Sequence, residues 1–173
     1  SCCTGRYWPD VYPASPLLDE GDRHRVLISG YYGHGNLGDE AILEVMVAAL
    51  RRAIPGIGIT VASGDPTQTS HAIGVDAVDE RSWPALLDVA EGASLIVLGG
   101  GGLLHDYHGL DRDTLLHPLH WGLTHCAAFP ALADLTHRPF MVSAVGAGPL
   151  HTDDGRRYAG ALCARAARLT VRD

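Results

Sequence analysis

The sequence predicts an α/β domain with a mainly parallel sheet and helices on both faces. Three observations predict it. Short β-branched runs alternate with amphipathic runs of helical spacing from Arg23 onward, the pattern of βαβ units. Three of the strand-like runs empty into glycine-rich turns, at 30–38, 99–102 and 146–148, and open parallel sheets bind ligands outside the carboxyl ends of their strands. The 173 residues suit one domain at ~100–200 residues each. With 46% hydrophobic and 19% charged residues, the chain can build a core and lacks the composition of a disordered one.

Residues 1–22 carry Pro9, Pro13 and Pro16 and no periodicity. They are expected to form an irregular arm, with Tyr7, Trp8 and Tyr12 clamping it to the body or to another subunit. Residues 23–173 are expected to form the Rossmann-like domain. The run 25–29 is a buried strand bounded by Gly30. Ile42, Leu43, Val45, Met46, Ala49 and Leu50 put a helix over 39–54, stopped by Pro55-Gly56. Residues 57–62 are a second strand, 63–67 read as a turn, and 73–78 as a short third strand. Ser82 caps a helix with Pro84 in its first turn, ending near Gly92. Residues 94–98 are the most strand-like run and end in four glycines. A helical stretch over 113–136, broken at Pro118 and Pro130, leads to a strand at 140–145. A helix over 153–169 and the start of one more strand follow. A domain rarely stops at the strand end where its site should lie, so the chain is expected to be the first half of a larger protein, or a fragment.

Composition excludes several functions. The 13 basic residues are all Arg, set against 20 acids for a net charge of −7. General nucleic-acid binding needs a basic stripe and is not expected. Without Lys these residues hold no Walker-A lysine and no Schiff-base lysine. Cys2, Cys3, Cys126 and Cys163 make no C-x-x-C, and Cys126 and Cys163 read as small core residues. Neither a signal peptide nor a membrane span is legible, so a cytoplasmic location is expected. His105, Asp106 and His108 cluster in sequence, as do His117, His120 and His125, but no H-E-x-x-H is present. No metal site and no cofactor are expected.

Gly33-His-Gly35-Asn-Leu-Gly38 satisfies G-x-G-x-x-G between a strand and a helix. Two features argue against a dinucleotide there. Gly30-Tyr31-Tyr32 separates the strand from the motif. Asp39 and Glu40 fall in the first helical turn, where they satisfy the dipole and repel a diphosphate. Carboxylates, an amide and aromatic rings instead suit hydroxyls, so Tyr31, Tyr32, Asn36, Asp39 and Glu40 are candidate sugar or polyol ligands. The plainer reading is that Asp39 caps the helix and the glycines shape a turn. Gly99-Gly-Gly-Gly102 opens the backbone to a ligand or an anion, or makes a tight turn. His105 and Asp106 follow at once and could work as an acid/base pair, although an isolated His is more often packed or solvated.

Four blocks in order resemble the polysaccharide pyruvyl transferase family. They are Ile28-Ser-Gly-Tyr-Tyr-Gly-His-Gly-Asn-Leu-Gly-Asp-Glu-Ala-Ile-Leu43, Leu98-Gly-Gly-Gly-Gly-Leu-Leu-His-Asp106, Val145-Gly-Ala-Gly-Pro-Leu150 and Leu169-Thr-Val-Arg-Asp173. The resemblance implies two Rossmann-like domains facing across a cleft, as in GT-B glycosyltransferases. It implies transfer of a pyruvyl group from phosphoenolpyruvate to two sugar hydroxyls as a ketal, with release of phosphate. This chain would supply the acceptor side, and the basic residues that hold the donor would come mainly from a second half. By carry-over, Asp39, His105 and Asp106 are the catalytic candidates. Tyr32, Gly33, Gly35, Asn36, Gly38, Glu40, Gly100, Gly101, Gly102 and Arg172 are the substrate-binding ones. The expected partners are phosphoenolpyruvate and a sugar or polysaccharide-precursor acceptor, with a second copy or the missing half as protein partner. The alternative is a nucleotide-sugar or NAD-binding Rossmann module without catalysis of its own, or a domain that only pairs with another chain.

Overall fold

A computed structural model describes residues 24–107, 109–110, 113 and 122–172. The arm at 1–22, together with His108, His117, Pro118, His120 and Asp173, lies outside the described residues. The elements run β1 (Arg25–Ser29), α1 (Leu37–Ala53), β2 (Gly58–Ser63), α2 (Pro66–Ile73), β3 (Asp76–Asp79) and α3 (Trp83–Glu91). They continue as β4 (Leu95–Leu104), α4 (Leu123–Cys126), α5 (Ala128–Leu135), β5 (Phe140–Ala147), α6 (Asp153–Arg165) and β6 (Arg168–Val171).

The described strands form one six-stranded sheet in the order β3-β2-β1-β4-β5-β6, with every pairing parallel. This is the doubly wound Rossmann order, which reverses direction between β1 and β4. Side chains alternate across the sheet and build a core on each face. Val26, Ile28, Val61 and Val97 pack with Leu43 and Val47 of α1. Leu27, Ile96, Leu98 and Val142 pack on the other face with Leu86, Phe129 and Leu162 from α3, α5 and α6. Burial on both faces explains why the central strands read as continuous apolar runs. Among the described residues, no helix is long and apolar enough to cross a membrane.

Several expectations need correction. Residues 63–67 do not end in a turn. Asp65 caps α2, accepting from the Gln68 amide at 2.9 Å, and Pro66 opens the helix, because proline is preorganised for the first helical position. Gly74, left-handed at φ 71°, ends α2 and moves the third strand to Asp76–Asp79. Pro130 does not break a helix but lies in the first turn of α5, where a missing N–H costs little. The helix expected to run to 169 stops at Arg165, since the Ala167 amide already donates to the Phe140 carbonyl at 2.8 Å. Most consequentially, the four glycines are not a turn after β4. They lie inside it, and the strand runs on to Leu104. Its register against β5 slips between Gly101 and Leu104, as at a bulge.

Cys126 is buried and Cys163 half-buried, both as free thiols. Burial pushes both thiols up, which keeps them protonated and unreactive.

Candidate functional site

A cleft of about 500 Å³ opens where the strand order reverses. Tyr31, Asn36, Gly38, Asp39 and Ile42 line one wall from the β1–α1 loop and the start of α1. Gly102, Leu103 and His105 line the other from the end of β4, with Gly122 and Arg172 at the rim.

The α1 wall begins with a cap. Asn36 accepts from the Gly38 amide at 3.0 Å, satisfying one orphan donor of the first turn. Glu40 lies outside the cleft lining. Its Oε1 accepts from the Gly33 amide at 2.7 Å and ties the loop to the helix. Gly33 and Gly35 take left-handed φ values of 75° and 72°, which makes the glycines the backbone solution for this loop. A Cβ on Gly33 would overlap Ser63, so that glycine also seats the loop against the end of β2.

Asp39 projects toward the β4 glycines. A Cβ on Gly101 would overlap the Asp39 carboxylate, and one on Gly100 would overlap Ile42. Both glycines are left-handed, at φ 83° and 74°. The bare strand backbone thus lets a carboxylate settle against it at the mouth of the cleft. Burial raises the Asp39 carboxyl above its usual range, Arg172 pulls it back, and Glu40 adds to the rise. A carboxyl shifted upward is a stronger proton acceptor than an ordinary one. Gly102 differs from its neighbours, because a Cβ there would meet nothing within 4 Å. Its Cα faces open cleft.

Tyr32, a substrate-binding candidate in the sequence, does not line the cleft. It has no exposed surface, and its hydroxyl donates to the Gly99 carbonyl. Burial, with Asp39 and Glu40 nearby, pushes its phenol up. The neighbouring Tyr31 is the ring that lines the cleft. Tyr32 is a strut between the loop and β4. Tyr32→Phe is expected to lower stability by about 1–3 kcal/mol in urea unfolding, the cost of leaving a buried carbonyl unpaired, without altering ligand affinity.

Asp106 is committed to the fold as well. It is buried and accepts from the His151 amide at 2.6 Å, the Thr152 amide at 2.8 Å and the Thr152 hydroxyl at 2.6 Å. Thr152 in turn caps α6. These hydrogen bonds, led by the Thr152 hydroxyl, hold the carboxyl down at about 2, which makes it a poor proton carrier. Its folded value lies below the unfolded one, so its stabilisation is complete above the ordinary carboxylate range. That stabilisation is lost as pH falls through the lowered value. Asp106→Asn is expected to lower the melting temperature by several degrees at neutral pH, with the gap to the parent narrowing below the ordinary carboxylate range and closing as pH reaches about 2, as thermal melts across pH can show.

His105 faces the cleft with its ring tilted against Tyr107 at 4.3 Å. Arg172 carries the cleft's cation, its Nε close to Gly146. Of the sequence candidates, the cleft brings together Tyr31, Asn36, Gly38, Asp39, Gly102, His105 and Arg172. Gly33, Glu40, Gly100 and Gly101 shape its walls from behind, while Gly35 lies exposed in the β1–α1 loop. Ile42, Leu103 and Gly122 went unpredicted. Helical spacing could have found Ile42, three residues after Asp39 and four after Gly38. Nothing in the local sequence marks Gly122. Among the described residues, no group of three or more His, Cys, Asp or Glu could hold a metal ion.

A family model for polysaccharide pyruvyl transferase matches residues 36–173, a span that opens on the Asn36 cap and takes in the cleft lining apart from Tyr31. No curated protein matches the chain. With most of its length under that match, the chain belongs to the polysaccharide pyruvyl transferase family, whose activity is pyruvyl transfer onto polysaccharide.

Proposed function

We propose that this cleft holds the acceptor in a pyruvyl transfer whose donor is phosphoenolpyruvate. The observation that carries the reading is Asp39. It is an upward-shifted carboxyl pressed against a side-chain-free strand, at the mouth of a cleft that also presents an amide, a hydroxyl-bearing ring, an imidazole and a guanidinium. Asp39 takes the proton from an acceptor hydroxyl as its oxygen attacks C2 of the donor. The methylene carbon C3 gains a proton and becomes a methyl group. Attack by the second hydroxyl and cleavage of the C2–O bond complete the ketal, and the departing phosphate keeps the remaining proton. His105 is the second proton-transfer group, and Asn36 and Tyr31 orient the diol. Arg172 meets the donor's carboxylate or phosphate, with further basic groups on a second domain that faces the cleft in a GT-B-like pairing. The transfer serves polysaccharide assembly in the cytoplasm.

The reading is tested on the intact protein with phosphoenolpyruvate and a panel of sugar acceptors. Phosphate release that depends on the acceptor, with one ketal gained by the product, supports it. Tight NAD(H) binding with the diphosphate seated against Asp39, or no release with any sugar, overturns it.

A further inference from the structure

His34 sits between the two left-handed glycines of the β1–α1 loop and outside the cleft lining, and the mechanism makes no use of it. A loop with glycine on both sides of one residue has little intrinsic order. Yet the His34 ring lies flat on the Tyr31 ring, with centroids 4.2 Å apart and planes within 12°. Its Nε2 meets Glu80 Oε1 at 2.9 Å, with the Glu80 side chain 4% exposed against 26% for His34. Glu80 follows β3 and is anchored by its own amide, which donates to the Ser63 carbonyl at 3.1 Å. Gly64 lets the imidazole lie on the backbone of the next loop, since a Cβ there would collide with the ring. The Gly64 amide donates to the Tyr32 carbonyl at 2.9 Å. Three loops at the carboxyl edge of the sheet therefore converge on one imidazole, and that imidazole backs the aromatic wall of the cleft.

We propose that His34, clamped by Glu80, is a positioning residue that sets the Tyr31 ring and thereby the fit of the acceptor sugar. The proposal rests on the reading of the cleft as an acceptor site. An aromatic face receives the apolar C–H face of a sugar ring only at the right tilt. A ring carried on a glycine loop holds that tilt only if something stiffer backs it. Glu80 supplies the stiffness, because a buried carboxylate keeps its hydrogen-bond partner at high cost of release.

Two measurements test this in the intact protein. Aromatic NMR of the Tyr31 ring reads its stacking without any turnover. Glu80→Leu, which has no acceptor for Nε2, and His34→Gln are both expected to collapse the ring-current shift of the Tyr31 protons while the rest of the spectrum stays folded. Steady-state kinetics then read the consequence. His34→Gln is expected to raise KM for the acceptor by up to about tenfold, with a smaller change in kcat and none in KM for phosphoenolpyruvate. Adding His34→Gln to Tyr31→Ala is expected to cost nothing further, since a residue acting through another is not additive with it. An unmoved Tyr31 shift overturns the proposal, as does an unchanged acceptor KM in folded His34→Gln or an additive double variant. Should the parent protein transfer nothing to any sugar, the acceptor reading fails, and the NMR shift still decides whether His34 positions Tyr31.

Discussion

Asp39→Asn is expected to lower kcat by about 10²–10⁴-fold, the usual contribution of a positioned proton acceptor, while making the fold more stable at neutral pH. The two effects have one cause. Burial against the β4 glycines raises the Asp39 carboxyl, so the folded chain holds this proton more firmly than the unfolded chain does. Stability is then complete below the ordinary value of 3.8 and is partly lost as pH rises through the raised one. Asn never carries the charge and avoids that loss. Urea unfolding at neutral pH should favour the variant, and the advantage should vanish in acid. Activity should fall as pH drops through the raised Asp39 value, because the protonated carboxyl cannot accept. Parent-level turnover in the variant would remove Asp39 from the mechanism. Stability gained by disarming a site is the expected trade for a strained functional group.

Gly101→Ala is expected to destabilise the domain by roughly 2–5 kcal/mol, combining left-handed strain with overpacking. The new methyl has no place to go. It points at the Asp39 carboxylate from a residue held at φ 83°, so either β4 or the start of α1 must move. Gly102→Ala, one residue on, is the control. Its φ lies outside the left-handed region and its Cβ position is open, so stability should stay within about 0.5 kcal/mol. Its methyl enters the cleft, and acceptor KM should rise instead. Urea midpoints and kinetics on the pair separate a glycine needed by the backbone from one needed by the ligand. Equal stability losses at both positions would show that neither the conformation nor the Asp39 contact constrains Gly101.

Local pattern was a good guide where a single element could be judged by itself. The alternation of runs specified a parallel α/β sheet, and the Gly33–Glu40 and Gly99–Asp106 segments marked both walls of the cleft. Pattern failed where one residue type serves two structural purposes. Asp65-Pro66 reads as a turn and is also a capped helix start. Four glycines read as a turn and are also a strand without side chains. Tyr31 and Tyr32 are chemically equivalent, and only the backbone path decides which ring reaches the cleft and which is buried beneath β4. His105 and Asp106 form a plausible pair in sequence, but hydrogen bonds from His151 and Thr152 take up the aspartate.

The class of fold, the family and the stretches of chain that meet at the site are all legible in local pattern. Each of these depends on periodicity or on neighbours within a few positions, which short-range sterics and hydrogen bonding decide. Tertiary structure alone decided which groups are free to react. It placed Asp39 against Gly101, Arg172 in the same cleft as Asp39 and Glu80 behind His34, joining residues 46 to 133 positions apart. A side chain's proton affinity and freedom follow from burial and from partners brought in by packing, and no local pattern encodes those.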